Sequence, residues 1–350
     1  MVANNGDLPL IYVRTPMIES VALRPFTSGR SVFLKLENCQ PSGSFKLRGV
    51  GDQVKHAKLE GFQRVVICSG GNAGLAAAYA ALQLEIQCHV VVPRRTPRLV
   101  IERLRELSAT VEIYGDSAKE VAERAEQISK FDSITYLVHP HDHEILWNGN
   151  STIIDEIVED FGYGVVPSLI VTSCGGGGLL CGLVEGIRRH RWEKRTKILV
   201  MESVGTDSFN ACVKAGGKRV ILEPERMNSI VTSLAVAQVT EQTAKVFKES
   251  CPPLLSRVVT DRDAIKACSR FANDHRFLVG PACGTTLSAL YEGIVERVLN
   301  NDEDQHTTIY DRQQHEDFIH DAHGPVVIIV DGGAEISVET LNHWKALFEI

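Results

Sequence analysis

The sequence predicts an open α/β architecture in two lobes, and three observations carry that prediction. At 350 residues the chain exceeds what one hydrophobic core comfortably organises. It contains short, continuous, β-branched apolar runs of the kind that fill strands buried on both faces. Between them lie segments with helical apolar spacing, so strand and helix alternate from end to end.

Taken in order, strands are expected at Arg64–Cys68, at residues 88–92, 168–172 and 197–201, and at Val326–Val330. An Ala-rich helix is expected over 75–84, and Ala118, Val121, Ala122, Ala125 and Ile128 recur at helical spacing among charges. Residues 165–184 have no charged side chain and approach the length of a membrane span. Pro167 and four consecutive glycines would interrupt a spanning helix, so a buried strand, a loop and a helix are expected there. Residues 300–324 are polar and rich in Asp, His and Gln, which predicts a long surface connection without a metal site.

Composition narrows the classes further. Apolar residues at 44% and charged residues at 23% match ordinary globular usage and exclude a disordered or fibrous chain. The 37 Lys and Arg against 44 Asp and Glu give a net charge of −7, which argues against a nucleic-acid partner. Nine cysteines without a CxxC pair indicate neither a disulfide framework nor a structural zinc site. Reduced thiols in the cytoplasm fit best. The first residues lack a cationic start and apolar run, so neither a secretory signal nor a membrane partner is expected.

Open parallel sheets bind ligands beyond the carboxyl ends of their strands, and the unusual loops of this sequence lie there. Ser69-Gly-Gly-Asn-Ala-Gly74 follows one strand, Ser173-Cys-Gly-Gly-Gly-Gly178 another, and Asp331-Gly-Gly333 the last. A fourth element, Pro41-Ser-Gly-Ser-Phe-Lys-Leu-Arg48, is a glycine turn with Ser44 as an N-cap candidate. Gly175, Gly176, Gly177 and Gly178 form an anion cradle on physical grounds: successive amides point inward and the next helix adds its positive end. The alternative is a tight turn with close helix–sheet packing. The spacing is no dinucleotide fingerprint, because the third glycine falls on Leu180 or Cys181, and no Lys-Ser/Thr follows as in a nucleotide P-loop. Lys46 alone reads as a solvated lysine at a helix start. Beside a phosphate cradle it suggests a Schiff-base lysine and a phosphorylated aldehyde cofactor, pyridoxal 5'-phosphate.

Four ordered motifs then carry a resemblance: Pro41-Ser-Gly-Ser-Phe-Lys-Leu-Arg-Gly49, Ser69-Gly-Gly-Asn-Ala-Gly-Leu-Ala-Ala-Ala-Tyr79, Cys174-Gly-Gly-Gly-Gly-Leu-Leu-Cys-Gly182 and Pro281-Ala-Cys-Gly284. From about Thr15 onward the chain resembles the L-serine/L-threonine dehydratase family, pyridoxal-phosphate enzymes of the tryptophan-synthase-β fold (fold type II). The resemblance implies a larger cofactor-binding domain of residues 1–37 and 143–350. It also implies a smaller inserted domain, 38–142, that carries Lys46, with the cofactor in the cleft. Lys46 is the implied covalent attachment point, Phe45 packs against the cofactor ring, and Asn72 hydrogen-bonds its phenolic oxygen. Ser69, Gly70, Gly71 and Asn72 receive the substrate carboxylate, and the four glycines hold the phosphate. Glu202 matches a family glutamate that in some members helps hold a monovalent cation, here beside Ser208. Read without the family, Glu202 is a surface residue after a strand. A homodimer is implied.

Two departures from the family pattern stand out. Where the family has Ser or Cys facing the pyridine nitrogen, this chain has Asp331. A carboxylate there favours the protonated ring, a charge-assisted bond being about twice as strong as a neutral one. The competing reading is that Asp331 caps the following helix. The second departure is His139-Pro-His-Asp-His143. His141 replaces a substrate-side aromatic as a polar or acid–base contact. The alternate histidines otherwise share one face of an extended segment, with zinc-ligating potential, or are simply solvated.

The expected activity is elimination from a hydroxy amino acid such as L-serine or L-threonine, giving a 2-oxo acid and ammonia. Asp331 and His141 keep open β/γ-replacement, racemisation, or elimination on a modified amino acid in a specialised pathway. A non-catalytic amino-acid sensor is the rival from another class. The intact Lys46, Ser69, Asn72 and glycine loop disfavour it.

Overall fold

The computed structural model describes residues 8–162, 164–300, 318–319 and 323–350. Most of the polar 300–324 connection therefore lies outside the described residues. The chain begins with β1 (Met17–Glu19) and β2 (Val32–Leu36), then α1 (Lys46–Leu59). A run of β3 (Arg64–Cys68), α2 (Asn72–Gln83), β4 (Gln87–Val92), α3 (Arg98–Glu106), β5 (Thr110–Ile113), α4 (Ala118–Phe131) and β6 (Thr135–Leu137) follows. The long α5 (Glu144–Phe161) leads to β7 (Leu169–Ser173), α6 (Gly178–Arg189), β8 (Lys197–Ser203) and α7 (Ser208–Lys214). The chain ends with α8 (Glu241–Glu249), β9 (Leu254–Val259), α9 (Asp261–His275), α10 (Pro281–Tyr291), α11 (Ile294–Asn300), β10 (Val326–Val330) and α12 (Val338–Leu347).

These strands form two sheets. The smaller has the order β5-β4-β3-β6 and is parallel throughout. The larger has the order β1-β2-β10-β7-β8-β9, parallel except where β1 runs against β2. β10 lies between β2 and β7, and all five of its residues are buried, which is why it is continuously apolar. The charge-free stretch 165–184 is β7, the glycine loop and the start of α6. Among the described residues no helix is long and apolar enough to cross a membrane.

Helices cover both faces of each sheet. On the larger sheet, Phe271 of α9 and Leu287 of α10 pack with Leu34, Val171 and Ile328. On its other face Ile154 of α5 and Leu183 of α6 pack with Ile170 and Ile329. On the smaller sheet α1 and α2 cover one face, while Val121 and Ala125 of α4 meet Val66 and Val91 on the other. Every residue of α10 is buried, so no amphipathic stripe marks it in the sequence.

One polar cluster crosses this apolar framework. Arg48, on α1 and fully buried, donates to both oxygens of Glu37 at 2.8 and 2.7 Å and to both oxygens of Glu156 at 2.7 and 2.8 Å. Lys35 Nζ, on β2, lies 2.6 Å from Glu156 Oε2 and donates to Thr15 O at 2.8 Å. Two cations thus face two carboxylates, and the start of α1 is tied to β2 and α5. Arg48→Met should destabilise the protein by about 3–5 kcal/mol, since it leaves buried carboxylates uncompensated. Urea denaturation checks this; a loss below ~1 kcal/mol, the scale of a surface pair, would contradict it.

Candidate active site

The site is assembled where the loop before α1 meets the loop after β10. Phe45 N donates to Asp331 O at 2.9 Å, Gly333 N donates to Gly43 O at 3.2 Å, and Ser44 pairs with Gly332. Gly332 has no room for a side chain, because a Cβ there would stand 2.4 Å from Ser44 Cβ. This pairing sets Lys46, the first residue of α1, beside Asp331. Lys46 Nζ donates to Pro140 O at 2.7 Å and lies 5.2 Å from the Phe45 ring centroid. Burial lowers the amine to about 8, against the opposing pull of Asp331 and Cys174.

Asp331 is buried and both carboxylate oxygens accept hydrogen bonds, Oδ2 from Ser173 Oγ at 2.6 Å and Oδ1 from Cys283 Sγ at 2.6 Å. It does not cap a helix: α12 begins later and is capped by Ser337. Two neutral donors thus offset the burial of the carboxylate. Burial raises its pKa from the ordinary value, while Cys283, Ser173 and Lys46 restrain the rise.

The tetraglycine loop joins β7 to α6. Gly177 has φ +102°, and a Cβ there would stand 1.8 Å from Thr243 Oγ1. Gly176 lies against the His141 ring, and Gly178 against Leu146 and the His141 carbonyl. Close packing therefore accounts for three glycines, and the same packing leaves a narrow backbone cradle at the α6 N-terminus. The first amides of that helix have no intrahelical acceptor, the arrangement that suits a phosphate.

His141 sits between the two halves of the site. Burial, with Lys46 and His139 nearby, lowers its pKa to about 3, so the ring is neutral in the physiological range. Each histidine of this segment has its own contact. His139 and His143 stack at 5.6 Å, His143 Nδ1 accepts from Ile145 N to cap α5, and His141 packs on Gly176. No group of three potential metal ligands occurs among the described residues.

After β3, Ser69 Oγ accepts from Gly71 N at 3.4 Å, and Asn72 opens α2. Gly70 passes close to Thr96, where a Cβ would stand 2.5 Å from Thr96 Oγ1. Asn72 Oδ1, Thr96 Oγ1, Ser42 Oγ and Ser44 Oγ are buried without a hydrogen-bond partner among the described residues. Glu202 is fully buried rather than on the surface. Its carboxylate accepts from Phe209 N at 2.8 Å and Asn210 N at 2.7 Å at the start of α7.

Sequence reasoning did not single out Thr96, Ser173, Cys283 or Thr243 as site residues. Thr96 and Ser173 follow strand ends, so the strand-end rule had the means to find them. Thr243 contacts the glycine loop from a distant helix, and no local signal marks it.

The residue set fits a phosphorylated aldehyde cofactor: an amine of lowered pKa, a closely packed glycine loop at a helix N-terminus, and buried polar atoms without partners among the described residues. Fold and site together define a two-sheet α/β protein with a buried lysine of lowered pKa near a glycine loop. Comparison with known proteins is consistent with this. Residues 8–308 match the family model described as pyridoxal-phosphate dependent enzyme. The chain is 38% identical over 335 residues to the L-serine dehydratase/L-threonine deaminase of Mus musculus, covering 96% of this chain and 95% of that protein. It is 35% identical over 310 residues to the L-serine dehydratase of Dictyostelium discoideum, covering 85% and 87%. The crystal structure of an L-serine ammonia-lyase from Rhizomucor miehei superposes with a TM-score of 0.82 at 28% identity, covering 97% of this chain and 99% of that one. The chain belongs to the pyridoxal-phosphate dependent enzyme family, with the tryptophan-synthase-β fold of fold type II.

Gly177→Ala should lower the thermal midpoint and weaken cofactor retention by about tenfold or more, ~1.4 kcal/mol. Gly175→Ala, whose Cβ would meet Leu234 at 3.3 Å, should be milder. Equilibrium dialysis and thermal melts check the contrast; equal effects would contradict it.

Proposed function

We propose that this protein is a lyase that removes the β-hydroxyl from L-serine or L-threonine and yields a 2-oxo acid and ammonia. The observation that carries this reading is the placement of Lys46 between Asp331 and the glycine loop, with its amine at about 8. The relatives named as serine dehydratases support the substrate class.

When bound, pyridoxal phosphate supplies an electrophilic aldehyde and a ring that accepts electron density from the substrate Cα. Lys46 would provide the attachment point and, as a free amine, the base for the Cα proton. Ser69, Gly70, Gly71 and Asn72 hold the substrate carboxylate, and Thr96 extends that polar wall. Gly175, Gly176, Gly177, Gly178 and the α6 terminus hold the phosphate. Phe45 would pack against the ring, and Asp331, kept in place by Ser173 and Cys283, would be the partner of its nitrogen. His141, neutral, offers a polar contact beside the phosphate loop.

The fold supports a division in which residues 38–142 form a small domain inserted in a larger one, because β3 to β6 pair only with one another among the described residues. We place a monovalent cation near Glu202 and Ser208; the buried, unpartnered Ser208 Oγ supports this. A homodimer in the cytoplasm completes the reading. Because Asp331 acts electrostatically on the lysine, replacement or racemisation is the second reading. A thiol adduct of the product, or D-amino acid formed from the L-form, would favour it over simple 2-oxo acid release.

Turnover of L-serine and L-threonine with equimolar 2-oxo acid and ammonia tests the proposal, and no turnover of any amino acid in a panel would refute it. Lys46→Ala should abolish borohydride-fixable cofactor, read by mass spectrometry; fixation at another lysine would overturn the assignment. Only the neutral amine attacks an aldehyde, so covalent capture of pyridoxal phosphate by the apoprotein should speed up with pH and level off above about 8. A rise continuing to 10.5, the ordinary lysine value, would contradict the lowered pKa.

A further inference from the structure

The glycine loop between β7 and α6 is braced from outside by a helix that no motif of the sequence draws attention to. Gly176 O accepts two hydrogen bonds from the start of α8, from Thr240 N at 3.1 Å and from Thr243 Oγ1 at 3.0 Å. Thr243 is fully buried, and its oxygen also lies 2.8 Å from Thr240 Oγ1 and 3.5 Å from Cys181 Sγ on α6. A hydroxyl has one proton to give. The carbonyl can only accept, so it takes the Thr243 proton, and the Thr240 hydroxyl and Cys181 thiol donate to the Thr243 oxygen. Thr240 Oγ1 for its part accepts from Thr243 N at 3.2 Å, which caps α8. Each member of this buried chain therefore has a defined direction. The Thr243 hydroxyl also fills the space that a side chain at position 177 would need, since a Cβ on Gly177 would stand 1.8 Å from it.

We propose that Thr243 is a positioning residue for the cofactor phosphate: by holding the Gly176 carbonyl on the α8 side, it turns the Gly177 N–H to the opposite face of the loop, where the phosphate would sit. This rests on the functional reading above, in which the four glycines hold the phosphate. The physical reason is the planarity of the peptide bond. In a trans peptide the C=O and the following N–H point in opposite directions, so fixing one fixes the other. The Gly177 N–H has no acceptor among the described residues, and the first turn of α6 adds its own unpaired amides. Glycines on both sides of this peptide leave it free to turn over. Turned over, it presents a carbonyl oxygen to the anion in place of an N–H, and repels it. A hydroxyl at position 243 holds the peptide the right way round before any ligand arrives.

The test compares the dissociation constants of pyridoxal phosphate and of pyridoxal, which carries the same aldehyde without the phosphate, from the apoprotein of the full chain. Thr243→Ala and Thr243→Val both remove the hydroxyl, the second at nearly constant size. Each should weaken pyridoxal phosphate about tenfold and pyridoxal by less than about twofold. Thr243→Ser keeps the hydroxyl and should hold both constants within about twofold of the parent. A threonine that merely packs would, once replaced, weaken the two ligands in parallel. That parallel loss would overturn the inference, as would an unchanged constant for pyridoxal phosphate in Thr243→Ala. Equal affinity of the unaltered protein for both ligands would show that the loop holds no phosphate, and failure to bind either would overturn the functional reading itself; the inference falls in both cases.

Discussion

Four buried charges fasten the lysine-bearing helix to the rest of the molecule. Arg48 follows Lys46 by two residues, and its guanidinium is held by Glu37 after β2 and by Glu156 on α5. Lys35 supplies the second cation against Glu156. Each charge alone would be strongly unfavourable in this apolar setting, so the four are stable only together and only in one geometry. That requirement fixes the start of α1 between the two sheets, and the position of Lys46 follows from it. Reactive geometry here depends on a rigid polar anchor placed behind the site rather than inside it.

In front of that anchor, backbone pairing completes the site. The contact of Ser44 with Gly332 and of Phe45 N with Asp331 O draws two loops together that lie almost three hundred residues apart in sequence. A lysine and a carboxylate then share one low-dielectric space with a neutral imidazole. Desolvation weakens the hold of Lys46 on its proton, and the same desolvation strengthens that of Asp331 on its own. Both groups are shifted toward neutrality, as acid–base chemistry near neutral pH requires.

The legible parts of this protein were those with a local cause. Continuous β-branched runs announced β3, β4, β7, β8 and β10, because a strand buried on both faces must be apolar at every position. β2 escaped notice because Lys35 interrupts its apolar run, and Lys35 is tolerated through Glu156, Asp160 and the Thr15 carbonyl. α10 escaped because full burial removes the amphipathic stripe. Glycine-rich loops were conspicuous for steric reasons, and the structure gives those reasons as named clashes with Thr243, His141 and Ser44.

The sequence by itself determined the alternation of strands and helices, the glycine-rich loops at strand ends, and membership of a recognisable family. Those properties reside in residue types and short spacings, which act locally. Tertiary structure decided which groups meet: that Asp331 has Ser173 and Cys283 as partners, that Glu202 caps α7, and that His141 packs on Gly176 while His139 stacks on His143. The contacts of Asp331 with Ser173 and Cys283, and of His141 with Gly176, are distances between segments far apart in the chain. Electrostatics and hydrogen bonding act through distance and burial, and neither is written in the order of the residues.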